Sequence, residues 1–175
     1  MIQVNFKLTE DELYKSLVDV SKSRMITKIL LIVGSILLAI MLYITTINIV
    51  KGIFYFSMGF IFPLFLGVYL IFLSEITAKF QVPNLIKKKN PFTERVTVQL
   101  DHTECRTKGE TFSHRLTWEK FHAIVETDDF FLLKVTDVTA NVLPKRAFTP
   151  EDILAFKGIL ASVKGPQLKL KKEAS

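Results

Sequence analysis

Three features of the 175-residue chain specify an α+β architecture: a two-helix transmembrane hairpin joined to one small antiparallel β-domain with a C-terminal helix. Two long stretches carry no charge at all, residues 29–50 (22 residues) and 52–74 (23 residues). Outside them, short segments alternate apolar and polar residues with the two-residue period of a half-buried strand. The last segment reads as a capped amphipathic helix. Composition agrees, because a chain that is 49% hydrophobic with mean hydropathy +0.32 and yet 23% charged must keep its apolar and charged residues apart. A plain soluble enzyme is thereby excluded, and what lies outside the two runs suffices for one small domain.

At 1.5 Å of rise per residue each uncharged run reaches about 33 to 35 Å, enough to cross a hydrocarbon core of about 30 Å. Neither run has a polar stripe, so a pair of soluble core helices is the weaker reading. Spans are expected over about residues 27–49 and 53–75, within a hairpin segment of residues 25–75. The connection around Lys51 and Gly52 is short, so the two helices must be antiparallel neighbours. The first run is expected to be retained, since a signal peptide would have a shorter apolar stretch ending in small residues. Lys22, Arg24 and Lys28 precede the first helix, Lys79, Lys87, Lys88 and Lys89 follow the second, and Lys51 stands alone in the turn. That asymmetry places both termini in the cytoplasm. Gly59, Pro63 and Gly67 recur every four residues on one face of the second helix, with Ser35 and Ala39 as small counterparts in the first. Such a face serves hairpin packing or self-association into a homo-oligomer. No ionisable residue lies inside either run, which argues against a pump or transporter.

Residues 1–24 precede the hairpin. Ile2, Val4, Phe6 and Leu8 alternate with polar residues as a strand, and Thr9 stands three residues before Glu12 in the spacing of a capping box, opening an amphipathic helix. Each element exposes one apolar face, so both need cover from the only other folded part, the C-terminal region. After a basic juxtamembrane linker over residues 76–91, in which Pro83 and Asn90-Pro91 stop any helix, residues 92–164 read as a meander. Its first strand alternates Val96, Val98 and Leu100 with polar residues, and further strands are expected at 104–107, 111–116, 123–126, 130–136 and 140–144. Thr149 as cap, Pro150 at the first helical position and Glu151 and Asp152 in the first turn open the terminal helix. Gly165-Pro166 ends it, leaving residues 165–175 as a basic tail.

The net charge of +6 is unevenly distributed. Residues 75–91 and 164–175 each hold four Lys against one Glu, whereas residues 92–163 hold nine Lys and Arg against eleven Asp and Glu. Basic excess beside the membrane and in the tail, with Lys87, Lys88 and Lys89 as its densest run, fits an anionic lipid surface and not nucleic acid. The single cysteine, Cys105, excludes an internal disulfide and fits a reducing compartment.

No phosphate-cradling glycine loop, nucleophile elbow or HExxH helix is present. His102, Cys105, His114 and His122 match no zinc spacing, so neither metal nor cofactor is expected. Ser113 and His114 are adjacent on a strand and point to opposite faces. Glu126, Asp128 and Asp129 read as a hairpin turn sooner than as acid-base carboxylates, and Trp118, Phe121, Phe130, Phe131 and Phe148 as core sooner than as a stacking wall. Lys145 and Arg146 stand out. They follow a strand and precede a helix start, where two cations and a positive dipole end suit an anion such as a lipid headgroup or a partner's carboxylate. The competing reading pairs them structurally with Glu126 or Glu151.

Trp118, Val125-Glu126-Thr127, Phe130-Phe131-Leu132 and above all Pro144-Lys145-Arg146-Ala147-Phe148 resemble the C-terminal domain of bacterial YcxB-like membrane proteins. The opening Val4-Asn5-Phe6-Lys7-Leu8-Thr9 with Asp11 is similar as well, and so is the double span. Glu119 departs from the small polar residue expected after Trp118. The resemblance implies a bacterial inner-membrane protein whose soluble part is similar to a pleckstrin-homology-like domain, and it supplies no catalytic residue. The expected function is therefore a non-catalytic, membrane-anchored module that binds a protein partner or anionic lipid headgroups. The rival expectation makes the hairpin itself the working part, as an immunity protein against a membrane-active toxin or as a small oligomeric pore.

Overall fold

The computed structural model describes residues 1–52, 58–88 and 91–171, and it divides into two compact units. One comprises Met1–Val20 together with Ala78–Ser175, the other Ser21–Thr77.

The first unit is a β-domain in which the two ends of the chain fold together. Strand β1 (Ile2–Lys7) pairs antiparallel with β2 (Arg95–Leu100), setting Ile2 opposite Leu100, Val4 opposite Val98 and Phe6 opposite Val96. These side chains are all buried, which satisfies the apolar face that β1 cannot cover alone. Helix α1 (Glu10–Ser23) follows, and its capping box is formed: the Thr9 amide donates to Glu12 Oε2 at 2.8 Å and the Glu12 amide to Thr9 Oγ1 at 3.3 Å. Strands β3 (Glu104–Lys108) and β4 (Ser113–Thr117) complete a four-stranded sheet in the order β1-β2-β3-β4.

The expected single meander is in fact two sheets. Trp118, 2% exposed, opens a 3-10 turn over Trp118–Lys120 and donates its indole N–H to the Asp101 carbonyl at 2.9 Å. That anchored turn ends the ladder after β4 and carries the chain into a second sheet. There β5 (Ala123–Glu126), β6 (Phe130–Lys134) and β7 (Ala140–Pro144) form the antiparallel part. Helix α5 (Pro150–Ser162) closes the domain. Phe156, fully buried, packs edge-on to Phe131 at 5.1 Å, stacks on Phe148 at 5.9 Å and lies 6.2 Å from Trp118. The aromatic residues are core, with no stacking wall.

Two further expectations are corrected in this unit. The tail is not featureless, since β8 (Gln167–Lys169) pairs parallel with β5 and covers its open edge, after a turn at Gly165 with φ +125°. The linker is helical: α4 (Leu73–Lys87) runs through Pro83 and buries Ala78 and Val82. Pro83 and Lys79 are both exposed, so the helical hydrogen bond that the proline cannot donate is lost at a solvent-facing position.

The second unit contains α2 (Met25–Val50), a 26-residue helix long and apolar enough to cross a membrane, and α3 (Met58–Ile71) packed against it. The second uncharged run is not one straight helix. Residues 53–57 lie outside the described residues, α3 reaches only about 21 Å, and a break at Phe72 separates it from α4 with a bend of 62°. Ser21 and Ser74 hydroxyls meet at 3.0 Å and Lys22 pairs with Glu75 at 2.6 Å, so polar groups join the entry and exit of this unit.

Candidate functional site

The segment singled out by sequence, Lys145 and Arg146, forms a short 3-10 turn between β7 and the cap of α5. The turn is held by a hydrogen bond from the Lys145 amide to the Asp129 carbonyl at 2.8 Å. Lys145 Nζ lies 2.7 Å from Glu126 Oε1 and 5.3 Å from the centroid of the Phe131 ring. Arg146 forms a two-pronged pair with Glu12, its Nε to Oε1 and its Nη2 to Oε2 at 2.7 Å, and also donates to the Lys7 carbonyl at 3.0 Å.

These contacts are those of the competing structural reading. Each cation already holds a carboxylate of the same chain, and the start of α5 is closed by its own capping box, with the Asp152 amide donating to Thr149 Oγ1 at 3.1 Å. The adjoining cleft, about 340 Å³, is edged by Asp11, Glu12, Asp128 and Asp129 beside Lys15, Lys145 and Arg146, so an entering anion meets more carboxylates than cations. Of the two structural partners weighed from sequence, Glu126 is realised and Glu151 is not. Glu12, 134 residues from Arg146, is the partner that sequence reasoning missed.

The electrostatics are those of a clamp. Arg146 hydrogen bonding holds the Glu12 carboxyl at about 2, with Thr9 adding to the effect against the cost of burial. Burial pushes the Glu126 carboxyl up, but the Lys145 hydrogen bond, the Lys171 amide at 3.0 Å and the charges of Lys145 and Lys157 outweigh it and leave it below the usual range. Glu126 therefore ties β5 to the β7 turn, to α5 through Lys157 at 3.4 Å and to the chain beyond β8. Glu12 ties α1 to the same turn. The most conspicuous polar motif of the sequence is the junction where the N-terminal and C-terminal pieces of the domain are joined.

The other candidates separate. Asp128 and Asp129 lie in the β5–β6 turn, closed by the Thr127 amide on the Phe130 carbonyl at 2.8 Å. Cys105 is 2% exposed and burial pushes its thiol up to about 11, while His114 lies against Phe112 at 5.4 Å between ring centroids. Among the described residues no cluster of His, Cys, Asp or Glu has the arrangement of a metal site. Gly67 faces α2, where an added Cβ would come within 2.9 Å of Leu38, and Gly34 is its counterpart in place of the expected Ser35 and Ala39. Gly59 is exposed and Pro63 half-buried. Lys87 and Lys88 are exposed at the end of α4, and Lys89 lies outside the described residues.

No curated protein and no solved structure matches the chain. A family match does exist, running from the β2–β3 turn to the third turn of α5 and thus containing the Trp118 anchor, Glu126 and the Lys145-Arg146 turn. Residues 103–160 match the model of the YcxB-like protein family.

Proposed function

We propose that the protein is a non-catalytic interaction module of the bacterial cytoplasmic membrane. In this reading two membrane passes, α2 and the broken α3–α4 segment, anchor a cytoplasmic β-domain to which both termini belong. The observation that carries it is the inverted surface of α2. Its outward side chains are large and apolar, with Ile32, Ile36 and Leu42 each more than half exposed, while Gly34 is among the few buried. Such a surface suits lipid, where helices associate through small residues. Four strands followed by three antiparallel ones and a closing helix support a pleckstrin-homology-like domain, interrupted after its first strand by the membrane segment. The pairing of Lys145 with Glu126 and of Arg146 with Glu12 supports an architectural role for this turn.

Thiol labelling tests the topology. A cysteine at Asn48 is expected to react with an impermeant maleimide in intact spheroplasts, and one at Ser175 only after lysis, with buried Cys105 silent in both. The reverse pattern overturns the cytoplasmic placement, and loss of both signals from the membrane fraction overturns the anchor.

A further inference from the structure

The second half of α4 combines features that neither the clamp nor the span accounts for. From Ala78 onward one side of the helix is buried, through Ala78 at 2% and Val82 at 3% exposure, and Val82 belongs to the domain core. On a 3.6-residue period Phe80, Asn84 and Lys87 fall opposite that side with Pro83 beside them, while Lys79 and Ile86 border the buried side. Phe80 is 72% exposed and Ile86 40%, an aromatic and an aliphatic residue held out into solvent by a helix whose other face is fixed. Lys87 and Lys88 end the same stretch, Lys79 borders a cleft shared with Glu10 and Asp11, and no acidic residue occurs along the chain between Glu75 and Lys88. Chain continuity holds this stretch seven to sixteen residues past the break at Phe72, about 10 to 24 Å of helix.

We infer that residues 79–88, the second half of α4 and the residue after it, lie in the headgroup region of the bilayer, with Phe80 seated at the acyl boundary and Lys79, Lys87 and Lys88 on anionic phospholipid. The chemistry is that of an interfacial helix, an apolar wedge among lysines whose stems reach along the surface. Because the opposite face of the same helix enters the domain core through Val82, the contact fixes the β-domain against the membrane and makes that attachment depend on anionic lipid content. Nucleic acid is the weaker occupant: a single protruding ring offers no stacking platform, and the cleft beside Lys79 is lined by Glu10 and Asp11. The inference rests on the membrane reading above and identifies the surface and the ligand class that it uses.

The experiment uses the full chain reconstituted into vesicles of phosphatidylcholine alone or with 30 mole per cent phosphatidylglycerol. Cys105, the only native cysteine, is buried and stays unlabelled, so Phe80→Cys carries an environment-sensitive fluorophore, with Asn84→Cys as a second position and Ile40→Cys in α2 as the bilayer control. In phosphatidylglycerol vesicles the label at residue 80 is expected to be quenched at least threefold more by a shallow lipid-borne quencher than by an aqueous one. Exchanging Lys79, Lys87 and Lys88 for Gln should abolish that preference, and phosphatidylcholine alone should weaken it. A water-like signal at residues 80 and 84 in both vesicles, with residue 40 protected, overturns the interfacial helix and leaves the anchor standing. An exposed residue 40 overturns both. Protection that falls on diluting protein within the vesicles overturns it in favour of a second copy of the chain, and protection that requires added RNA overturns it in favour of nucleic acid.

Discussion

The two units place their apolar residues in opposite ways. In the β-domain Phe130, Phe131, Leu132, Leu133 and Phe156 are buried to 1% exposure or less, and charged groups such as Glu126 enter only with partners. In the helical unit Ile36, Leu42, Phe62 and Phe65 are 55% to 68% exposed, while glycines at positions 34 and 67 occupy the contact between helices. One unit is built by driving large side chains out of water and the other by bringing two backbones close. A substitution therefore has different consequences in each, and one position can lie far from its unit in sequence. β1, which precedes the apolar runs, belongs to the domain that follows them.

That last point yields the largest expected effect. Phe6→Asp forces a charge into the β1–β2 contact and should cost the β-domain roughly 4 kcal/mol, seen as loss of protease resistance across residues 91–171 in detergent. Unchanged resistance would break the claim that the two ends form one unit. Next comes Lys145→Gln, which leaves buried Glu126 with one cation fewer and should cost about 2 kcal/mol, read as an earlier thermal transition. A neutral outcome would free this turn for ligand binding.

Glu12→Gln should cost about 1 kcal/mol at neutral pH, the scale of a partly exposed pair with good geometry. Its acid dependence has a fixed sign. The folded Glu12 carboxyl is held near 2 against an ordinary 4.5, so its contribution is complete above about 4.5 and is lost as pH falls towards 2. Parent and variant melting curves should converge over that window, and parallel curves would show that the pair contributes nothing. The smallest effect on the domain is expected from Gly67→Val. Its new side chain meets Leu38 and should weaken cysteine cross-linking between α2 and α3, yet move the β-domain transition by less than about 0.5 kcal/mol. A comparable loss in both readouts would show that the units do not behave separately.

Much of the local structure was legible because its causes are local. The box of Thr9 with Glu12, the cap at Thr149, the alternation of Ile2, Val4 and Phe6 and the strands at 123–126 and 140–144 all stand where the residues require. Where reading by segment failed, the deciding contact came from far along the chain. Pro83 was expected to end a helix, but the burial of Ala78 and Val82 holds α4 together across it. The tail read as a basic segment suited to an anionic lipid surface, and the open edge of β5 recruits its residues 167–169. For Lys145 and Arg146, Glu126 was within reach of the sequence reading as a partner, whereas Glu12, 134 residues from Arg146, was not.

By itself, then, the sequence determined most of the strands and the capped helix starts, that the apolar residues form a separate block, and that the polar remainder is of mixed helix and strand, since periodicity, capping and the absence of charge act over a few neighbouring residues. Only the tertiary structure decided that the sheet is two sheets hinged on Trp118, that the second apolar run bends at Phe72, and that the Lys145-Arg146 turn joins the two ends of the domain. Ion pairing and edge pairing depend on distance in space, and loop closure costs only logarithmically more as the intervening chain lengthens, so local sequence carries no record of which distant group will arrive.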